Sequence, residues 1–449
     1  MSRSLFISIA ILSLCFESNA QWALKQAGVQ NDETRAVAGD SDGYTYTTGY
    51  FSSTAEINGE VIGGTQLSDV FVSKIGPNGD AIWVKDASGT GSNQGLDVAV
   101  DLNGNVYICG FYSTSINFDG LSLTSSGGQD MFVAKYSPSG DILWARSGGG
   151  ITNSDRANAL AVDNSGNVFV TGEFSGTADY GGLNITSLNG TTDVFIVKYS
   201  SDGTEEWIKK GSGEAVDRGL AIACDNSGSV YACGQFEEDI AFDNDYSNDI
   251  QNALFVIKYS SSGNEEWFRW GGGSGLSIAY DITTDGTNVY LTGDFGPGIT
   301  FFNTDGQTNA LSSGFDNSIF IVKYSGSGQY DWGSSAGSDS FVTSRGISYE
   351  NGSLAIGGWH NCTFQSFSDE YGESTFNSIG FEDVYVARYT NNGSFSWARN
   401  FGSQTSERLY DVELHPSGRE VVVGSFNDHL VIPVGDDPID GLSPVSVGP

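Results

Sequence analysis

Acidic side chains dominate the groups in this chain that could do chemistry: 55 Asp and Glu stand against 20 Lys and Arg, with 3 His and 5 Cys. Two runs set hard oxygen ligands side by side, Asp40-Ser41-Asp42-Gly43 and Asp243-Asn244-Asp245-Tyr246-Ser247-Asn248-Asp249, and such donors suit Ca2+. Asp243, Asp245 and Asp249 are therefore the candidate metal ligands. Neither run has the Asp-x-Asp-x-Asp-Gly spacing of a dedicated calcium loop, so an acidic, solvated loop is the simpler account. His360, His415 and His429 show no His-Glu-x-x-His spacing, and there is no Gly-x-Ser-x-Gly elbow for a nucleophilic serine. Carboxylates are numerous enough for two to meet in space as a glycosidase pair, which a sequence does not reveal. No catalytic residue and no cofactor are expected, and the chain is expected not to be an enzyme.

Two other residue types recur at fixed intervals. Trp22, Trp83, Trp144, Trp207, Trp267, Trp332 and Trp397 lie 60 to 65 residues apart. A row of tryptophans could stack on sugars, but packing between neighbouring units explains the even recurrence better. Lys74, Lys135, Lys198, Lys258, Lys323 and Arg388 each stand five residues before a turn glycine. They could form a cationic ring for an anionic ligand. The plainer account is an ion pair repeated per unit, with a turn Asp as partner, contributing about 0–1 kcal/mol when exposed.

The elements that would position these residues follow from the same period. Within each interval an alternating apolar run ends in an Asp-to-Gly turn, as in Gly95–Gly104 and Gly219–Gly228. A run rich in β-branched and aromatic residues follows, such as 105–111 (NVYICGF) and 167–174 (NVFVTGEF). Next come 130–136 (DMFVAKY) and 193–199 (DVFIVKY), and finally the strand that carries the Trp. Asp opens the turn by bonding the backbone two residues on, and Gly supplies positive φ. Each period therefore holds four short strands, a to d, and no segment sustains a 3.6-residue apolar rhythm. A four-stranded unit cannot bury both faces alone, whereas radial stacking of copies buries them, which predicts an all-β, seven-bladed β-propeller.

These residues resemble the seven-bladed bacterial β-propeller repeat family, whose signature is similar to D-x-A-x-x-x-D-x-x-G-N-V-Y-V-T-G. The nearest copies are 97–110 and the stretch ending at Gly172, and the resemblance covers nearly all of 21–427. It implies four-stranded antiparallel blades and, commonly, export from Bacteroidetes-type bacteria. It identifies a fold and not a ligand.

At the N-terminus, Arg3, the apolar run 5–16 and Ser18-Asn19-Ala20 read as a cleaved signal peptide, 1–20. Residues 21–449 are then the propeller, with 21–28 a lone d strand that closes the last blade. The seventh period has strands a and b only, so Trp22 is expected to face b across a gap, with the missing c strand lying downstream. Cys109 and Cys233 share one repeat position and read as small inward-facing side chains. Cys224 should face a residue near 230, which makes a Cys224–Cys233 disulfide doubtful. The connections between b and c vary most, and 360–383 carries Phe364, Phe367, Tyr371, Phe376 and Phe381, either as an outer flap or as a contact surface.

A net charge of −35 argues against nucleic-acid partners, because a polyanion would be repelled. No segment is long and apolar enough to span a membrane. The chain thus reads as a secreted or cell-surface monomer that binds or scaffolds an extracellular protein or carbohydrate. The alternatives are an exported polysaccharide hydrolase or lyase on the same ring, or one module of a larger adhesin.

Overall fold

The computed structural model describes residues 32–425, apart from 58, 152–153, 244–251, 303–306, 362–363 and 370–371, together with strands Ala10–Leu14 and Trp22–Gly28. Every element among the described residues is a β-strand, and all sheet pairings are antiparallel. Six four-stranded units follow one another. The second is typical: a, Asn93–Val100; b, Val106–Phe118; c, Leu121–Tyr136; d, Ile142–Gly150. The third runs Arg156–Val162, Val168–Ser175, Thr192–Tyr199 and Glu205–Gly211. A seventh unit begins with Arg408–Leu414 and Glu420–Ser425.

The a–b turn forms because one side chain satisfies several donors. Asp101 Oδ1 accepts from Asn103 N at 2.8 Å and Asn105 N at 2.9 Å, while Oδ2 accepts from Asn105 Nδ2 at 2.7 Å and Tyr107 Oη at 2.9 Å. Gly104 takes φ 77°, a conformation costly for any residue with a Cβ. The sequence D-x-x-G-N-V-Y is therefore a local program for the hairpin; its Asp–Tyr bond recurs at Asp40 with Tyr46 and Asp225 with Tyr231, and in a turn one residue shorter at Asp285 with Tyr290.

Strands b and c form the core. Val168, Phe169, Val170, Val194, Phe195, Ile196 and Val197 are all fully buried. Burying a side chain of this size contributes about 1.5–3 kcal/mol. Cys109 and Cys233 are free and buried, and their thiols face the carbonyls of Ala157 and Ala279 in the next unit. Cys224 is free too and lies opposite Val230, as the turn geometry requires.

Units are joined by three kinds of contact. Near strand a, Asp97 Oδ2 accepts from Leu160 N at 2.7 Å and Asp281 Oδ2 from Ile347 N at 2.7 Å, each reaching the next unit. The same bond joins last to first: Asp411 Oδ2 accepts from Val37 N at 2.9 Å. Further out, the recurrent Trp and Lys meet one acceptor. Trp144 Nε1 and Lys135 Nζ both donate to Ser201 O, at 3.3 and 3.1 Å, and Trp207 and Lys198 to Ser261 O, at 3.2 and 3.0 Å. Trp267 and Lys258 repeat this on Gly326 O.

The b–c connections supply the outermost link, which the four-strand reading missed. Hairpin Thr177–Tyr180/Leu183–Thr186 of unit three pairs with Gly149 and Gly150 on strand d of unit two. Ile299–Phe302 of unit five pairs with Gly271–Gly273, and Phe364–Asp369 of unit six pairs with Gly337 and Ser338. Glycine is needed where the hairpin crosses: a β-carbon on Gly273 would lie 2.0 Å from Gly298 O.

The N-terminal arrangement differs from expectation. Strand Trp22–Gly28 does not face strand b of the seventh unit across a gap. Strand Ala10–Leu14, drawn from the apolar run, lies between them and pairs with both, Leu12 opposite Val422 and Ala23. A largely apolar segment with Ile11 within it can supply the backbone donors and acceptors that a c strand would.

Candidate functional site

Each a strand carries a one-residue register shift near its start, for example between Gly95 and Asp97 and between Ser344 and Gly346. A bulge re-aims the extra side chain out of the ladder. Across the seven units the extra residues are Arg35, Leu96, Asn158, Leu220, Tyr280, Arg345 and Tyr410. The frame repeats and the chemistry does not, which is how a scaffold differs from a site.

Four of these residues belong to one line of arginines and aromatics, at the end of the units that bears the d–a and b–c connections. The Arg345 guanidinium lies 3.6 Å from the Tyr280 ring centre and 4.9 Å from that of Trp359. Arg408 lies 5.8 Å from the Trp359 ring centre too, and Tyr410 meets Trp359 edge-on at 6.2 Å. Arg35 continues the line, 4.6 Å from Tyr410 and 5.6 Å from Tyr50. Cation–π contacts of this kind contribute about 0.5–2 kcal/mol each. Arg408 is held by Glu382 at 2.7 and 3.0 Å, and Arg35 by Glu33 at 2.7 Å.

A cavity of about 280 Å³ opens beside Arg345, lined also by Leu276, Tyr280, Asp294, Pro297 and Phe341. Leu276 is 51% exposed and Phe341 38%, and exposed Asp316 and Asn317 line the same cavity, so its rim mixes apolar and polar groups. Arg345 Nε is buried there without a hydrogen-bond acceptor. Burial pushes Asp294 up to about 6 although Arg345 beside it pulls the other way, and Asp294 Oδ1 accepts from Ser344 N at 2.9 Å. Burial also raises the Tyr280 phenol. Of the exposed large hydrophobic residues among those described, Leu67, Ile151, Leu188, Leu276, Phe341, Ile379 and Phe381 all lie in or beside d–a or b–c connections.

The residues singled out from the sequence sit elsewhere. Asp243 pairs with Lys209 Nζ at 2.6 Å, while Asp245 and Asp249 lie outside the described residues. Asp40 caps its own turn, accepting from Asp42 N at 3.0 Å. Among the described residues no group of three or more His, Cys, Asp or Glu side chains could hold a metal ion. His360 is buried against Asn400 at 2.8 Å, and buried His415 is pushed down to about 4, chiefly by burial. The recurrent lysines do not pair with turn aspartates. Lys198, Lys258 and Lys323 bind Glu206, Glu266 and Asp331 two residues from the turn, at 2.7, 2.9 and 2.9 Å, and the cationic ring is spent on packing. In the 360–383 connection, Phe376 packs on the core and Phe381 is exposed, while Tyr371 lies outside the described residues.

No family model matches the chain. It is 24% identical over 366 residues to an uncharacterized WD repeat-containing protein of Acanthamoeba polyphaga mimivirus, covering 65% of this chain and 26% of that one. It is 28% identical over 185 residues to the regulatory protein FlaEY of Caulobacter vibrioides, covering 36% and 19%. The matched regions thus span about a quarter or less of these relatives. Among solved structures it resembles an apocarotenoid oxygenase/RPE65 chimera, with TM-score 0.31, 12% identity and coverage of 66% and 60%. Synechocystis apocarotenoid oxygenase gives TM-score 0.32, 11% identity and coverage of 70% and 66%. The expectation that the chain is not an enzyme is withdrawn, because the solved structures it resembles are those of enzymes. At that degree of likeness no reaction carries over. No helix among the described residues is long and apolar enough to cross a membrane.

Proposed function

We propose that the chain is a secreted or cell-surface seven-bladed β-propeller that works as a binding or scaffold module. The bond from Val37 to Asp411 supports closure of the units into a ring, since it repeats between first and last unit the link found between neighbours. The WD-repeat relative supports a protein partner, and the leader-like residues 1–20 support export, with 21–449 as the propeller, so that strand Ala10–Leu14 belongs to the uncleaved chain only. The ligand is gathered at the end bearing the d–a and b–c connections. One observation carries this reading: in a chain of net charge −35, Arg35, Arg345 and Arg408 run in a line with Tyr280, Trp359 and Tyr410, beside a cavity whose rim exposes Leu276 and Phe341.

The test is binding by the full chain to arrayed extracellular proteins and glycans, beside Y280A/W359A and a control altered at Leu102 and Leu143. Loss of binding in the first variant with retention in the second supports the site. Equal binding by all three sinks it.

A further inference from the structure

We propose that two junctions between units, at Asp130/Asp155 and at Asp193/Asp217, are each closed by a carboxylic acid and a carboxylate that share one proton. Asp130 and Asp193 stand at the start of the apolar part of strand c, and Asp155 and Asp217 at the start of strand a in the following unit. All four are fully buried or within 1% of it.

Most of their oxygens have backbone donors. Asp130 Oδ2 accepts from Ser126 N at 2.7 Å, and Asp155 from Gly150 N at 2.8 Å and Ser175 N at 3.1 Å. Asp193 accepts from Leu188 N at 2.8 Å and Thr191 Oγ1 at 3.1 Å, and Asp217 Oδ1 from Glu237 N at 3.4 Å. Asp130 Oδ1 and Asp217 Oδ2 lack a donor of normal geometry, although the Gly213 main chain also lies against the Asp217 carboxyl and favours its charged form. At the first junction the orphan faces its partner across a glycine. A β-carbon on Gly149 would lie 2.6 Å from Asp130 Oδ1 and 3.0 Å from Asp155 Oδ2.

The junction between units one and two shows what is missing. There Asp69 takes the place of Asp130, Asn93 takes the place of Asp155, and Asn93 Nδ2 donates to Asp69 Oδ1 at 3.2 Å. Where the second residue is Asp, only a carboxylic proton can supply that hydrogen. The surroundings agree. Glu173 and the Tyr112 and Tyr180 phenols face the first pair, and Asp239 and Lys210 the second, so Lys210 is the one cation among these neighbours and it faces the second pair alone. Burial raises all four carboxyls, Asp155 and Asp193 to about 6 and Asp217 to about 9, where neighbouring Asp193 adds to the effect. Two buried like charges disfavour each other's ionisation, and one shared proton removes the conflict.

The sign follows. Folded values lie above unfolded ones, so the junctions are firmest in acid and lose stability as pH rises from about 4 toward about 9. The experiment measures thermal unfolding of the full chain at about pH 5 and about pH 9, with the infrared band of protonated carboxyl recorded near neutral pH. D155N and D217N supply the N–H that Asn93 supplies. Each should shrink the fall in Tm between the two pH values and weaken the infrared band, and N93D should enlarge the fall. Loss of stability in D217N that is equal at both pH values, or an unchanged band, overturns the proposal. So does a Tm of the parent chain at the higher pH that rises with Ca2+ alone while that of D217N does not, which would put a metal ion in the proton's place.

Discussion

The repeated a–b turn offers an internal control for the energy of one buried hydroxyl. Asp101 and Asp163 are equally buried, at 8% exposure each, and both accept from two main-chain N–H groups and one asparagine amide. They differ in one partner. Asp101 also accepts from the phenol of fully buried Tyr107, while in the unit of Asp163 the corresponding position holds Phe169, which has no hydroxyl to donate. Removing either Asp loses three bonds to partly exposed donors, about 1 kcal/mol apiece at most. D101A alone strands a buried phenol, which costs a further 1–3 kcal/mol or so. Hence D101A is expected to destabilise by about 3–6 kcal/mol and D163A by about 2–3. Y107F should cost about 1 kcal/mol, and D101A/Y107F less than the sum of its parts, since the stranded group is gone. Urea denaturation with a shared slope measures all four. Equal losses in D101A and D163A, or strict additivity in the double variant, would refute the account of the turn.

Other outcomes follow from features already described. W267F should cost about 1 kcal/mol, because Lys258 still donates to Gly326 O, whereas W267A should cost about 3–5 from lost burial, both read by denaturation midpoints. G273A should destabilise strongly, its β-carbon meeting Gly298 O, and should raise hydrogen exchange in Ile299–Phe302 before other strands. His415 has a folded value near 4 against about 6.5 unfolded, so it lowers stability as pH falls through that window; H415Q should flatten the acid limb of a Tm–pH curve. Asp97, pushed up to about 7 by burial, works in the opposite direction, so D97N should lessen the loss of stability between about pH 4 and about pH 7.

The strands and turns were legible because they are local. Asp101, Gly104 and Tyr107 satisfy one another within seven residues, and copying that segment copies its hairpin. The Trp and Lys positions were legible as structural, but not their shared acceptor, because Ser201 O lies 57 residues from Trp144 and main-chain carbonyls leave no trace in a sequence. The outer hairpins were missed since Thr177–Tyr180 and Ile299–Phe302 are four residues long and pair with a unit other than their own. The arginine–aromatic line was also missed. Its signal was there: within a strongly repeating a strand, one place varies from Arg35 through Asn158 to Tyr410. Periodicity draws attention to what recurs, and a site made of exceptions is visible only once the frame has been subtracted.

Because the outer hairpins of units three, five and six rest on their neighbours' last strands, the piece of chain that is repeated is not the piece that is mechanically whole. Pulling one sheet away from the next has to peel a rim hairpin and shear an inner Asp-to-amide tie, two fastenings with different lever arms. A strip cut at any inter-unit loop would carry off a flap whose seat stays behind, so breakage under load is expected to run sequentially around the molecule and not at a single weak seam.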